Sequence, residues 1–234
     1  MTPTTRRTAL KQAALGTAAW ALTAADSTAA ASDRIRVGLI GAGGMGSSHL
    51  SALASRKDVL LTHVCDPDKN RLAAGAKIVQ GASGRAPEAV TDLRRVLDDK
   101  GVDAVVIATP DHWHAPASIL ALDAGKHVYV EKPCCHNIRE GRLMADAVRR
   151  SGKLLQVGTQ SRSTACVRDA IDRVRDGQIG EVLVAKAWNS QLRANIGHAK
   201  PSEPPAGLDY DQWVGPAEMV PYQANMIQYG CEIG

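Results

Sequence analysis

Phenylalanine is absent from this sequence of 234 residues, and aromatic residues of all kinds make up only 3%. The core must therefore be built from Ala, Val, Leu and Ile. Hydrophobic residues nevertheless reach 44% and charged residues 22% of the chain. These proportions are typical of a globular protein that can bury a core, so the sequence predicts folded domains with aliphatic interiors.

A large excess of one charge is also missing. The formal net charge is +4, and residues 1–31 contribute three basic side chains and one acidic side chain to it. The remaining chain is close to neutral and shows no basic stripe of the kind that binds nucleic acid. We therefore predict no nucleic-acid partner.

The five cysteines, Cys65, Cys134, Cys135, Cys166 and Cys231, lack the spacing of zinc ligands. An odd number cannot pair completely within one chain, and a bridge between adjacent cysteines such as Cys134 and Cys135 is strained. We expect all five to be small buried side chains, and we predict no metal site.

The first residues have the features of an export signal. Arg6 and Arg7 lie in the run TRRTALK, a mildly apolar stretch follows over 12–25, and Ala29 begins three consecutive alanines. This order is that of a twin-arginine signal with a small-residue cleavage site, and its apolar stretch is too short to span a bilayer. We predict a signal peptide over 1–31, a periplasmic or secreted location, and no membrane anchor after cleavage. The alternative is a disordered tail rich in Ala and Thr.

From residue 33 onward, β-rich runs alternate with helical patterns. The runs fall at 34–40, 59–65, 102–108, 126–130 and 154–157. Such alternation predicts an α/β fold, a doubly wound parallel sheet of the Rossmann type with right-handed crossovers, over 33–158. The pattern then changes to one apolar helical stripe near 167–174, a predicted strand at 181–188 and a Pro/Gly-rich stretch. We predict that 159–234 is the beginning of an incomplete α+β domain, since these elements cannot enclose a core.

A glycine-rich turn follows the first predicted strand. Gly41, Gly43 and Gly46 fit the pattern G-x-G-x-x-G between a strand and a helix, and Asp66 ends the next strand about 20 residues later. This context predicts dinucleotide binding, with the pyrophosphate at the helix N-terminus and Asp66 accepting hydrogen bonds from the adenosine ribose. A carboxylate there favours NAD and repels the extra phosphate of NADP. The alternatives are an ordinary glycine turn and an Asp66 that only caps a helix.

Two further polar clusters follow strands of the predicted sheet. The run ATPDHWH contains Thr109, Pro110 and His114, and the run EKP contains Glu131, Lys132 and Pro133. Both should emerge at the carboxyl edge of the sheet, where ligands bind in this fold class. The Lys132 ammonium there can donate to a substrate hydroxyl and stabilise alkoxide character. The alternatives are a surface turn and a surface ion pair.

In series, these motifs resemble those of the family named for glucose–fructose oxidoreductase, inositol dehydrogenase and a rhizopine-catabolism protein. The resemblance covers Arg34 to about Tyr229 and rests on GLIGAGGMG, VCDPD, ATPDHWH, YVEKPCCHN and QVGTQSRS. It implies a cis peptide before Pro133, Lys132 at the reacting carbon and homo-oligomers among full-length relatives. The residues it implies at the cofactor are Gly41, Gly43, Met45, Gly46, Asp66, Thr109, Pro110, His114, Glu131, Lys132, Pro133 and Gln160.

The family also continues into a large open-faced sheet domain with an Asp/His acid–base motif, which we do not find before Gly234. We therefore expect an NAD-dependent oxidoreductase of a sugar, cyclitol or sugar derivative in which the nucleotide-binding half is retained. Two alternatives remain open: an enzyme that uses NAD transiently to cleave glycosides, and an inactive nucleotide-binding fragment.

Overall fold

The computed structural model describes residues 34–188 and 197–225, and its centre is a six-stranded parallel sheet. The strand order is β3-β2-β1-β4-β5-β6, so the chain winds outward in both directions from β1. That order is the classic one of the dinucleotide-binding fold. The strands are β1 (Ile35–Ile40), β2 (Val59–Cys65), β3 (Glu88–Val90), β4 (Ala104–Ile107), β5 (His127–Glu131) and β6 (Leu155–Gly158).

Helices cover both faces of this sheet. Their bounds are α1 (Gly44–Ala54), α2 (Lys69–Ser83), α3 (Leu93–Asp98), α4 (Asp111–Asp123), α5 (Ile138–Ser151), α6 (Ala165–Arg175) and α7 (Tyr210–Val214). Helices α1 and α2 pack on one face, where Leu39 and Leu50 are fully buried. Helices α3, α4 and α5 pack on the other face around Val105 and Ile107. Successive strand residues therefore serve different cores, because side chains alternate across a strand.

The core is aliphatic, as the absence of Phe predicts. Both buried clusters consist chiefly of Val, Leu, Ile and Ala. Alanines such as Ala117 and Ala121 are fully buried on α4, which lets that helix lie close to the sheet. No helix within the described ranges is both long enough and apolar enough to cross a membrane.

The parallel, doubly wound sheet is confirmed, with two differences in its elements. The sequence patterns did not predict β3 and α3, which are only three and six residues long. The predicted strand at 181–188 is wrong: this stretch forms no strand and every residue in it is exposed. Its alternation of apolar and polar residues has no neighbouring strand to pair with in the structure, and periodicity alone cannot supply one.

The part of the chain after Gly158 packs only partly on the sheet domain. Helix α6 buries none of its residues. By contrast, Val214 and Tyr222 in the later segment are buried. This segment returns to the carboxyl edge of the sheet, where the candidate site lies.

Candidate functional site

The glycine turn between β1 and α1 requires glycine for steric reasons. Gly41 has φ +91°, and a Cβ there would lie 2.6 Å from the Ala108 carbonyl oxygen. A Cβ on Gly46 would collide with the carbonyl oxygen of Gly41. Gly43 caps α1 and no side chain bonds the free N–H groups of the first turn. These N–H groups at a helix N-terminus form a site suited to an anion such as a pyrophosphate.

Asp66 follows β2 and holds the glycine turn in place. One carboxylate oxygen accepts from the Ala42 N–H and the other from the Asp68 N–H, each at 2.8 Å. Burial raises the pKa of Asp66 more than these two hydrogen bonds and Arg71 lower it. The helix cap is Asp68, which accepts from Asn70 and Arg71, so the alternative of Asp66 as the cap is wrong.

A cavity of about 480 Å³ opens between the glycine turn and Asp66. Met45, in the first turn of α1, lies on its wall, and so do Thr109 and Pro110 after β4. Arg71 also lines the cavity, and its guanidinium would lie 3.0 Å from a Cβ on Gly43. Sequence patterns did not identify Arg71. The signal that could have found it is its position in the first turn of the helix that follows Asp66.

The cavity has features that fit a dinucleotide. The Thr109 hydroxyl lies on the cavity wall, is buried and has no hydrogen-bond partner in the described structure. Buried polar groups are normally paired, so unpaired ones beside a cavity indicate a ligand with polar atoms. The glycine cradle, the uncapped helix N-terminus and Asp66 together match phosphates and ribose hydroxyls.

A second polar cluster surrounds Glu131 at the end of β5. His49 Nε2 lies 2.8 Å from one carboxylate oxygen of Glu131, and the Gln160 amide donates to the other at 2.8 Å. Burial by itself raises the pKa of Glu131, but the hydrogen bonds from His49, Gln160 and the Lys132 N–H outweigh it and hold that pKa below its ordinary value. The ring of Tyr129 packs edge-on against His49 at 5.3 Å. Glu131 is therefore an ionised, pre-oriented acceptor.

His49 and Tyr129 were not identified from sequence. His49 belongs to α1 and Glu131 to β5, 82 residues apart, so only the packing of α1 on the sheet brings them together. The ammonium of Lys132, by contrast, makes no hydrogen bond or ion pair within the described structure, and its residue is exposed. The peptide between Lys132 and Pro133 is cis, as the resemblance implies.

His114 is not on the wall of the cavity, although the resemblance implies a place for it at the cofactor. It is only 1% exposed, and its two ring nitrogens face the carbonyl oxygens of Pro133 at 2.5 Å and Thr109 at 2.9 Å. The ring therefore joins the loop after β4 to the loop after β5. His114 positions the two loops that carry the site.

Apart from Gly46 and His114, the predicted residues thus form two groups. Gly41, Gly43, Met45, Asp66, Thr109 and Pro110 line the cavity, whereas Glu131 and Gln160 meet in a separate cluster next to Lys132 and Pro133. No group of three or more metal-ligating side chains occurs among the residues that the structure describes.

The cysteines follow the prediction only in part. Cys65 is buried, and burial strongly raises the pKa of its thiol. Cys134 and Cys135 are half-buried free thiols with their sulfurs 3.7 Å apart. Cys166 is exposed, so its predicted burial is wrong: it lies on α6, which buries nothing. Cys231 lies outside the described residues.

Comparison with known proteins agrees with this geometry. The model of the oxidoreductase family with an NAD-binding Rossmann fold matches residues 35–159, more than half of the chain. The chain belongs to this family. NAD is the family's cofactor, and the residues that form the glycine cradle and the Asp66 site lie inside the matched range.

Individual relatives are similar at about the same level. Levoglucosan dehydrogenase of Pseudarthrobacter phenanthrenivorans is 34% identical over 152 residues, which are 64% of this chain and 39% of that protein. A glycosyl hydrolase family 109 protein of Shewanella pealeana is 30% identical over 162 residues, which are 66% of this chain and 35% of that protein. The crystal structure of the WlbA dehydrogenase of Bordetella pertussis with NADH and UDP-GlcNAcA has a TM-score of 0.56 and 30% identity. The match covers 63% of this chain and 43% of the WlbA chain. The chain spans less than half the length of each.

Proposed function

We propose that this chain is the cofactor-binding part of an NAD-dependent oxidoreductase that acts on a sugar, a cyclitol or a sugar derivative. The single observation that supports this most is the glycine cradle and Asp66 at one cavity, with Glu131 and Lys132 on the adjacent strand end. When bound, NAD would accept a hydride from a substrate carbon that bears a hydroxyl group, and the hydroxyl proton would pass to an acid–base group. The similarity to a levoglucosan dehydrogenase and to a dehydrogenase bound to UDP-GlcNAcA supports the substrate class.

Within this proposal each residue has a separate role. The turn at Gly43 binds the pyrophosphate through backbone N–H groups, and Asp66 accepts from the adenosine ribose. Glu131, held ionised by His49 and Gln160, orients the other end of the site. The unpaired ammonium of Lys132 donates to the substrate hydroxyl and stabilises its developing negative charge.

A chimera tests the reaction directly. Residues 34–158 replace the matched part of levoglucosan dehydrogenase, and NADH formation from levoglucosan is followed by absorbance. We expect NADH formation, with a loss of roughly 10²- to 10⁴-fold on Lys132→Ala, the range for removing one acid–base group. Lys153→Ala is the matched control and should retain the rate. A chimera that folds and binds NAD but forms no more NADH than its Lys132→Ala variant would contradict the proposed role of Lys132.

A second candidate function is an enzyme that uses NAD transiently to cleave glycosides. The similarity to a glycosyl hydrolase family 109 protein is the observation that favours it. In this case the cofactor is regenerated within each cycle, so sugar would be released without accumulation of NADH. Measuring both products in one assay separates the two functions. An inactive nucleotide-binding module would yield neither product.

We also propose export to the periplasm by the twin-arginine route, supported by Arg6 and Arg7 ahead of the apolar stretch at 12–25. These residues lie outside the described structure. A fusion of residues 1–33 to a reporter should reach the periplasm, and replacing both Arg6 and Arg7 with Lys should abolish export. Equal export of the double variant would mean an ordinary secretory signal or none.

A further inference from the structure

A short C-terminal segment packs against the loop that contains Asp66. We call residues 207–216 the arm. Its beginning is bonded to the loop after β2, where the Lys69 N–H donates to the Gly207 carbonyl and the Asp209 N–H donates to the Pro67 carbonyl, both at 3.0 Å. The arm therefore lies directly beside the residues that follow Asp66.

The other end of the arm is bonded to the first turn of α4. The Trp113 indole N–H donates to the carbonyls of Gln212 and Trp213 at 3.1 and 3.2 Å, and His112 Nε2 lies 3.0 Å from the same Trp213 carbonyl. Gly215 packs so closely on the Trp113 indole that a Cβ there would overlap it, and its φ of +51° also favours glycine. The arm thus connects the β2 loop to the β4 loop across the edge of the sheet.

Aromatic side chains hold this arm in place. The chain has only eight Trp and Tyr residues, and four of them, Trp113, Tyr210, Trp213 and Tyr222, gather here. Tyr210 stacks on Trp213 at 5.8 Å, and the ring of Tyr222 meets Tyr210 edge-on at 5.5 Å. In a chain so poor in aromatic residues, this concentration indicates an ordered contact rather than a loose tail.

The arm forms one wall of the cavity. The residues on the other walls indicate which half of a dinucleotide binds in it. The cavity is lined by the glycine turn, Asp66, Arg71 and the residues from Thr91 to Arg94, together with Asp211, Gln212, Trp213, Gly215 and Pro216 of the arm. Glu131, Lys132 and Gln160 are not on its walls. Because Asp66 is at the adenosine ribose position, the part of the cavity beyond it is on the side away from the hydride-transfer end.

We propose that the arm is the outer wall of an adenine pocket and determines how tightly the chain holds the adenosine half of its cofactor. This inference rests on the proposed NAD-dependent function. The arm encloses a cavity that would otherwise be an open groove, which removes apolar base surface from water. The anchors of this wall are Trp113 and Gly215, which act as positioning residues.

The test is a titration of the full chain with AMP, ADP-ribose, NMN and NAD by calorimetry and by tryptophan fluorescence. Trp113 and Trp213 are the tryptophans on the cavity wall. We expect AMP and ADP-ribose to bind and to quench the fluorescence, and NMN to bind more weakly. In the variant Gly215→Ala the added methyl group displaces the arm from Trp113. We expect this variant to bind AMP and NAD each about tenfold more weakly than the wild type does.

Two further variants complete the design. Trp113→Phe keeps an aromatic ring but removes the N–H that donates to the arm, so it should also lower the affinity for AMP. This variant tests the arm even if Gly215→Ala fails to fold. Trp188→Phe is the matched control, because Trp188 is 79% exposed and absent from the cavity wall. It should bind as the wild type does.

The outcomes separate the proposed role of the arm from the proposed NAD-dependent function. Unchanged AMP affinity in both Gly215→Ala and Trp113→Phe, or NMN binding as tight as AMP, overturns the role of the arm. Binding of NAD by the wild type without measurable AMP binding does the same and leaves the proposed function intact. If the wild type binds neither NAD nor AMP, the proposed function fails and this inference fails with it.

Discussion

Asp66 has a structural role that is compatible with its proposed role in binding the cofactor. Its carboxylate oxygens already accept one backbone N–H each, so the glycine turn is held in shape before any ligand arrives. Each oxygen retains a further lone pair, which suits a ribose hydroxyl. Its place after β2 was predictable from spacing. Its contacts with Ala42 and Asp68 were not, because they depend on how two loops meet.

Cofactor choice should depend on this residue. Asp66→Ser removes the negative charge that would face the 2′-phosphate of NADP, while leaving a hydroxyl that can still accept a hydrogen bond. We expect wild-type chain to bind NAD more tightly than NADP, and the variant to narrow this difference by at least about tenfold. Parallel calorimetric titrations with the two cofactors measure it. Equal or tighter NADP binding by the wild type would contradict the prediction.

The pH dependence of NAD affinity should follow from the same carboxyl. Burial raises the pKa of Asp66, so as pH falls from neutral it takes up a proton earlier than an ordinary carboxyl does. A protonated carboxyl is a poorer acceptor for the ribose hydroxyls, and affinity should fall by up to about tenfold per pH unit below that pKa. Asp66→Asn should bind weakly with a flat profile. A wild-type affinity as flat as that of Asp66→Asn would show that Asp66 does not control binding.

Among the elements, the loops after β4 and β5 depend on each other through α4. His114 lies in the first turn of α4, and its two ring nitrogens face the carbonyl oxygens of Thr109 and Pro133. The sequence patterns correctly indicated that both loops emerge at the carboxyl edge, since parallel strands predict it. The imidazole bridge between them could not be predicted, because i, i+2 histidines in a helix face different directions and sequence does not say which one turns inward.

Removal of this bridge should destabilise the whole domain. His114→Ala removes the imidazole N–H that donates to one of these carbonyl oxygens and opens a cavity, so we expect the free energy of unfolding to fall by roughly 2–4 kcal/mol. Urea denaturation followed by circular dichroism measures the change. The control is His136→Ala on the exposed segment before α5, which should stay within about 0.5 kcal/mol of the wild type. A His114 variant as stable as the control would exclude the structural role.

At the scale of the whole molecule, we expect the chain to bind the cofactor without catalysing the reaction efficiently. The 234 residues contain the glycine cradle, Asp66 and the Glu131 cluster, while the chain spans only 39% of levoglucosan dehydrogenase. A polypeptide of these residues should bind NAD measurably but turn over little or no sugar or cyclitol, because positioning of the substrate is a large part of the rate. NAD calorimetry beside NADH absorbance over a substrate panel tests this. Robust turnover that disappears on Lys132→Ala would show that the catalytic set lies within these residues.

Sequence alone determined the order of the main strands and helices and the identity of the glycine turn. These features are local: hydrophobic period distinguishes strand from helix, and a turn that needs φ > 0 selects glycine. Local patterns also produced the error at 181–188, where alternation without a neighbouring strand forms no sheet. They missed β3 and α3, which are too short to show a period.

Only the tertiary structure decided which side chains share a site. Glu131 is hydrogen-bonded to His49, 82 residues away in the sequence, and to Gln160, 29 residues away. Trp113 donates a hydrogen bond to the arm, 99 residues further along the chain. Such contacts depend on strand order and on how helices pack on the sheet, which no single stretch of sequence encodes by itself. The sequence thus determined that a dinucleotide turn exists, and folding of distant segments onto one sheet edge decided what surrounds it.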